Sequence, residues 1–304
     1  MAALTSAWRE LFDLIRPELV VFDHSPTALL AARGLPLRRV VIGTGFSCPP
    51  DVEPLPRLQP GDEDAIRRNT SGVLASMNYC LACWNQPPMD RVLQFYGDVE
   101  DTILATFPKL DHYGRRIDAN YWGAWTQIGG HVTEWPLTEG PRVFGYLKWF
   151  KALPNLLEEL SRRNISSLLF IDGLTNEFRR KYASTTLRLE NQPLDMRQVA
   201  QQCDVALLNG THGSAVAMLL AGKPALHIPL FLEQSILARS VVRISEGLSA
   251  SPEDPQMVQR QFNRLLASDD YREGASLFTA KYADFDPILQ LQKLVDRVES
   301  LAAN

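Results

Sequence analysis

The sequence holds no apolar run near the roughly 20 residues that a helix needs to cross a bilayer, so no spanning helix is expected. Its opening, MAALTSAWRELFDLIRPELVVF, has no basic stretch ahead of an apolar core and makes a poor secretory signal. Basic side chains are not in excess: 31 Lys and Arg against 35 Asp and Glu give a net charge of -4, with a pI of about 5.8. That balance, with no basic patch or basic amphipathic stretch, argues against nucleic acid and against a membrane surface as partner. Cysteine is scarce, with four residues in 304 (Cys48, Cys80, Cys83 and Cys203), which suits a reducing cytoplasm. Cys80 and Cys83 form a C-x-x-C, but VLASMNYCLACWNQ reads as a helix with no βαβ pattern around it and no second C-x-x-C. Both read as small apolar helix residues. His112 and His131 have no ligand partners at metal spacing, so no metal site is expected. The standard nucleotide fingerprints G-x-G-x-x-G and G-x-x-x-x-G-K-[ST] are missing, as are internal repeats and low-complexity tracts.

What is present is an ordinary globular composition, 45% hydrophobic and 22% charged, over a length natural for two domains. AWRELFDLIRP (7–17) carries apolar residues on a helical period and stops at Pro17. LVVFD (19–23) is a continuous apolar run ending in an acid, as suits a parallel strand buried on both faces. TALLAARG (27–34) predicts a helix and RRVVIGTGF (38–46) a second strand, which makes a β-α-β alternation. A proline-rich loop (47–62), a mostly helical stretch (63 to about 98) and a third short strand within 101–114 follow. Residues 115–141, rich in Trp, Gly and Pro, read as a linker in which Trp122, Trp125 and Trp135 pack. From 142 the alternation is regular. Strands are expected at RVFGYLK, SSLLFID, TTLRLEN, DVALLNG and PALHIP, with helices at LPNLLEELSRRN, DMRQVAQQC, HGSAVAMLLAG and LEQSILARSVVRIS and three more in the tail. The expectation is two doubly wound parallel sheets, whose ligands bind at the carboxyl ends of strands.

One stretch at such an end, LLNGTHGSAVAMLLAGKPALHIP (207–229), passes from strand through Asn-Gly-Thr-His-Gly-Ser into an Ala/Leu helix. Two readings stand. It is a tight turn, or it is an anion site at a helix N-terminus, where first-turn amides are unpaired and the dipole favours negative charge. His212 would either touch the anion or lie exposed on the turn. His227 reads as a packed strand histidine. LDHYGRR reads as a loop in which Asp111, His112, Arg115 and Arg116 are salt-bridged.

CDVALLNGTHGSAVAMLLAGKPALHIPLFLEQSILARSVVRISEGL resembles the donor-binding region of GT-B fold glycosyltransferases of the UDP-glycosyltransferase and macrolide-glycosyltransferase-like type. NQPLDMRQVAQQCDVAL and, more weakly, RPELVVFDHSPTALLAARGLPLRRVVIGTGF extend the likeness over nearly the whole chain. The resemblance implies two Rossmann-like domains, the N-terminal one incomplete: residues 1–135 on the acceptor side with the linker, and 136–304 binding the donor. It implies that Asn209, Gly210, Thr211, His212, Gly213 and Ser214 meet a donor diphosphate, and that Glu233 and Gln234 hold the transferred sugar. Asp23 matches the acid that orients the family's catalytic histidine. Ala221, Gly222 and Pro224 match its A-x-G-x-P run. The chain departs from the pattern at Asn209 (usually His), Thr211 (Gly), Ala217 (the ribose acid) and Leu237 (Asn), and Lys148 replaces a small loop residue. The strand, Gly-rich loop and catalytic histidine that open the family's acceptor domain have no counterpart in this chain, so it reads as N-terminally truncated. His24 follows a different strand and is expected to cap a turn. The function implied is inverting, metal-independent sugar transfer from a UDP- or TDP-type nucleotide sugar to an acceptor hydroxyl, impaired by the missing catalytic segment. No cofactor is expected beside that co-substrate. A non-catalytic nucleotide- or partner-binding protein of the same fold is the alternative; a sugar-nucleotide epimerase is a third reading.

Overall fold

The computed structural model describes residues 1–125, 129–163, 165–244 and 246–303. Residues 126–128 of the expected linker, and the expected helix ends at Asn164, Ser245 and Asn304, lie outside the described residues. The chain divides into two compact units, Met1–Gly123 with Pro287–Asn304, and Ala124–Asp286.

In the first unit, α1 (Ala2–Ile15) turns Thr5 and Phe12 inward and closes at Arg16, in the left-handed region at φ 50°, before Pro17 ends the run. β1 (Leu19–Asp23), α2 (Pro26–Ala31) and β2 (Arg38–Gly43) form the expected β-α-β. β2 ends three residues early, because a 3-10 turn occupies Gly45–Ser47. The Asp62 side chain accepts from the amides of Asp64 and Ala65 and so caps α3 (Glu63–Cys83). Of the C-x-x-C pair on α3, Cys80 is buried and Cys83 exposed. A short α4 (Gln94–Gly97) and β3 (Asp101–Leu104) follow. The sheet is parallel, with order β1-β2-β3. Phe12, Phe22, Leu29, Leu30, Val41, Leu81 and Leu104 belong to its core.

The second unit begins its alternation with β4 (Arg142–Lys148), α5 (Leu153–Arg162), β5 (Ser166–Asp172), α6 (Asn176–Tyr182) and β6 (Leu187–Glu190). It continues with α7 (Met196–Gln202), β7 (Val205–Leu208), α8 (His212–Leu220), β8 (Ala225–His227), α9 (Leu232–Arg243) and β9 (Gly247–Ser249). α10 (Pro255–Ala267) and α11 (Asp270–Lys281) complete it. All strand pairs are parallel and the order is β6-β5-β4-β7-β8-β9. β5 is buried along its length until Asp172 and β7 is buried throughout, as apolar runs covered on both faces require.

α12 (Pro287–Ala303) falls with the first unit, where Arg297 meets Asp101 of β3 at 2.6 Å and Arg38 donates to the Leu301 carbonyl. The sequence expectation grouped this helix with the second domain, because chain order does not show which unit a terminal helix packs on. The division between units also falls earlier than the expected boundary at 135.

Candidate functional site

The second sheet runs β4, β5, β6 in one direction and β7, β8, β9 in the other, so the strand order reverses between β4 and β7. In an open parallel sheet the crevice at the carboxyl ends beside such a reversal is where a ligand fits. The 209–214 turn leaves β7 at that point.

Asn209 is buried, and both ends of its amide are engaged. Its Oδ1 accepts from the Lys148 amide at 2.5 Å and its Nδ2 donates to the Ile228 carbonyl at 2.9 Å. The side chain therefore stitches the ends of β4 and β8 to β7. This uses one of the two Nδ2 hydrogens. Gly210 follows at φ 85°, and a Cβ there would lie 3.2 Å from the Gln234 carbonyl. Glycine is thus required for conformation and for space.

Thr211 is the exposed N-cap of α8, extended, and its side chain caps no amide. Its hydroxyl instead lies 2.6 Å from the Ser214 hydroxyl, while Ser214 Oγ also reaches the Thr211 carbonyl at 3.0 Å. The first-turn amides of α8 have no acceptor within the helix. At Gly213 the surface is open: a Cβ would meet nothing within 4 Å. His212 is buried, which excludes the exposed placement on the turn.

Gln234 comes next to this turn, in van der Waals range of Gly210, and its Oε1 accepts from the Leu230 amide at 2.7 Å at the start of α9. Glu233 is half-buried beside it in the first turn of α9. Lys148, on the strand end that Asn209 holds, faces Asp172 at 3.7 Å with both side chains more than half exposed, a weak pair. Ala217 is buried on α8 and offers no acid. His227 is 1% exposed, and Nδ1 has no hydrogen-bond partner among the described residues. Burial pushes its pKa down to about 4, so it is a neutral packed histidine.

Asp23 lies in the first unit, exposed at the end of β1 and paired there with Ile42 of β2, its carboxylate without a hydrogen bond or ion pair among the described residues. His24, at φ 46°, stacks on Phe46 with ring centroids 6.3 Å apart. On the other side, the Phe46 amide donates to His112 Nδ1 at 3.2 Å. Asp111 is a buried hub: it accepts from Arg116 Nε at 2.9 Å, from the Tyr121 hydroxyl at 2.9 Å and from the Tyr113 amide at 3.0 Å. The salt-bridged loop expected at 110–116 is this network for Asp111 and Arg116. Burial pushes the Cys48 thiol up to about 12, which disfavours the thiolate. Among the described residues no group of His, Cys, Asp and Glu is arranged to hold a metal ion.

No protein-family model matches the sequence, and no curated protein matches it. Solved structures do. The calicheamicin glycosyltransferase CalG4 superposes at TM-score 0.69 and 18% identity, covering 99% of this chain and 77% of its own. The glycosyltransferase VinC, solved in complex with DTDP, gives 0.65 at 14%, covering 98% and 75%. SnogD from Streptomyces nogalater, also a glycosyltransferase, gives 0.63 at 18%, covering 97% and 78%. The fold is therefore that of the GT-B glycosyltransferases.

Proposed function

We propose that this chain binds a nucleoside-diphosphate sugar of the UDP or TDP type at the 209–214 turn and acts in transfer of the sugar to an acceptor hydroxyl. The observation that supports this most is the opening of α8 at the strand-order reversal, with an N-cap side chain that caps no amide and unfilled space over Gly213. Amides aimed outward at a helix N-terminus suit a diphosphate, and VinC, of the same fold, was solved with DTDP.

In the reaction the acceptor oxygen attacks the anomeric carbon as the bond to the diphosphate oxygen breaks. A single displacement inverts that carbon. The acceptor proton goes to a base, and the α8 amides stabilise the charge of the departing diphosphate without help from a metal. Gln234 and Glu233, at the start of α9, are placed to meet sugar hydroxyls. Asn209 acts indirectly, by holding the strand ends from which the turn springs.

One observation favours the non-catalytic reading. Asp23, expected to orient a histidine base, has no hydrogen-bonded histidine among the described residues. We therefore propose weak turnover beside intact nucleotide binding. Calorimetric titration of TDP and UDP tests the binding. Wild type should bind, and Gly213→Val, whose side chain projects into open space, should fold normally and lose binding. Absence of binding by wild type at millimolar nucleotide would reject the site.

A further inference from the structure

β4 and β5 both end on a charged residue, and the two are level in the register, Lys148 beside Asp172. They face each other at 3.7 Å with side chains 56% and 58% exposed. A pair so long and so exposed adds little to stability. Its place in the sheet says more. Side chains alternate across a strand. Val143 and Leu147 of β4 belong to the core that α5 and α10 cover, as do Leu169 and Ile171 of β5. Phe144 and Leu168 belong to the core that α7 and α8 cover, and Tyr146 packs there too. Its ring stacks on Phe170 with centroids 5.5 Å apart. Lys148 and Asp172, two residues further on, therefore leave the sheet on the α7 and α8 face. In height the lysine matches the turn. Tyr146 pairs with Leu208, so counting on by two brings Lys148 level with Gly210. Asn209 Oδ1 accepts from its amide there. Neighbouring strands lie about 4.8 Å apart, well within reach of a lysine stem. Lys151, further along the same loop, pairs instead with Glu253 at 3.2 Å, ahead of α10.

We propose that Lys148 is the cation of the diphosphate site. On binding, its ammonium leaves Asp172 and takes a phosphate oxygen on the side opposite the α8 amides. This rests on the reading that the 209–214 turn receives a diphosphate. Helix amides and the dipole supply partial charges only, whereas a nucleoside diphosphate brings several full negative ones. The other charged groups at these ends, Asp172, Glu190 of β6 and Glu233 of α9, are acids. A lysine ammonium is a compact charge on a flexible stem, suited to changing partners. Giving up an exposed pair costs it little. During transfer the same ammonium meets the charge that gathers on the departing diphosphate. Asp172 is then a competitor of the nucleotide and not a ligand for it.

Calorimetric titration of UDP and TDP into the full chain and its variants tests this. Both side chains are more than half exposed, so the substitutions should leave circular dichroism unchanged. Lys148→Met should weaken both nucleotides about 10- to 100-fold, as loss of one charge-assisted hydrogen bond does. It should also flatten the dependence of affinity on added salt. Lys148→Arg should keep most of the affinity. Asp172→Asn should strengthen binding about two- to fivefold, the weight of an exposed ion pair. Wild-type affinity in Lys148→Met, a Lys148→Arg as weak as Lys148→Met, or weaker binding by Asp172→Asn overturns the proposal; the last would make the carboxylate itself a ligand. If Gly213→Val abolishes binding and Lys148→Met does not, the site stands and only the role of the lysine falls. If wild type binds neither nucleotide, both fall.

Discussion

His227 carries a pH dependence that can be worked out in sign. Folded, its imidazole is held neutral with a pKa of about 4; unfolded, it titrates at about 6.5. Between those values the unfolded chain binds the proton and the folded chain does not. Stability therefore falls as pH drops from about 6.5 to about 4 and is unaffected by this group above that window. The loss is on the order of 3 kcal/mol at the acid end. Denaturant melts of His227→Leu should flatten that slope and keep or raise stability at neutral pH, since Nδ1 has no partner to lose. Asn209 behaves oppositely. Asn209→Ala strands the Lys148 amide and the Ile228 carbonyl and should cost about 1–3 kcal/mol in the same melts, with α8 and its amides otherwise unchanged. A packed strand histidine was legible from the alternation of ALHI. The engagement of Asn209 was not, because a strand-end asparagine has the same letters whether its amide faces a ligand or two neighbouring strands.

At the scale of elements, the 209–214 turn depends on Gly210. Gly210→Ala forces a Cβ into a left-handed residue at φ 85° and against the Gln234 carbonyl. It should lower stability by at least about 1–2 kcal/mol and shift the start of α9, read as changed amide resonances at Leu232–Ser235. The buried strands were legible because continuous apolar runs between turn residues have few alternatives in a parallel sheet. α6 and β9 were missed for opposite reasons. NEFRRKY is charged and buries only Tyr182, so its helix rests on the Thr175 cap more than on an apolar stripe. GLS is three residues long and is a strand only because β8 is there to pair with it. α12 was recognisable as a helix, but its packing partner was not. Removing residues 287–304 should strip Asp101 of Arg297 and bare β2, speeding hydrogen exchange in β1–β3 while β4–β9 keep their protection.

For the whole molecule, two parallel α/β units were legible from the alternation, and the resemblance to the GT-B fold from the 203–248 stretch. Their sheets differ in size, three strands against six, so native-state hydrogen exchange should open the first unit before the second; equal protection would contradict that order. On the proposed reading of weak turnover, transfer from TDP- or UDP-sugars should be slow, since the lack of a general base alone costs about 10²–10⁴-fold. The central claim is that the open N-terminus of α8 receives a diphosphate. Amide chemical shifts of the labelled chain, titrated in parallel with TDP and with thymidine, test it most directly. The account predicts that TDP moves the amides of Gly213 and Ser214 first and furthest, that thymidine leaves them in place, and that Gly213→Val abolishes the response. Saturable TDP shifts that spare residues 211–215, or no shifts at all, would contradict it.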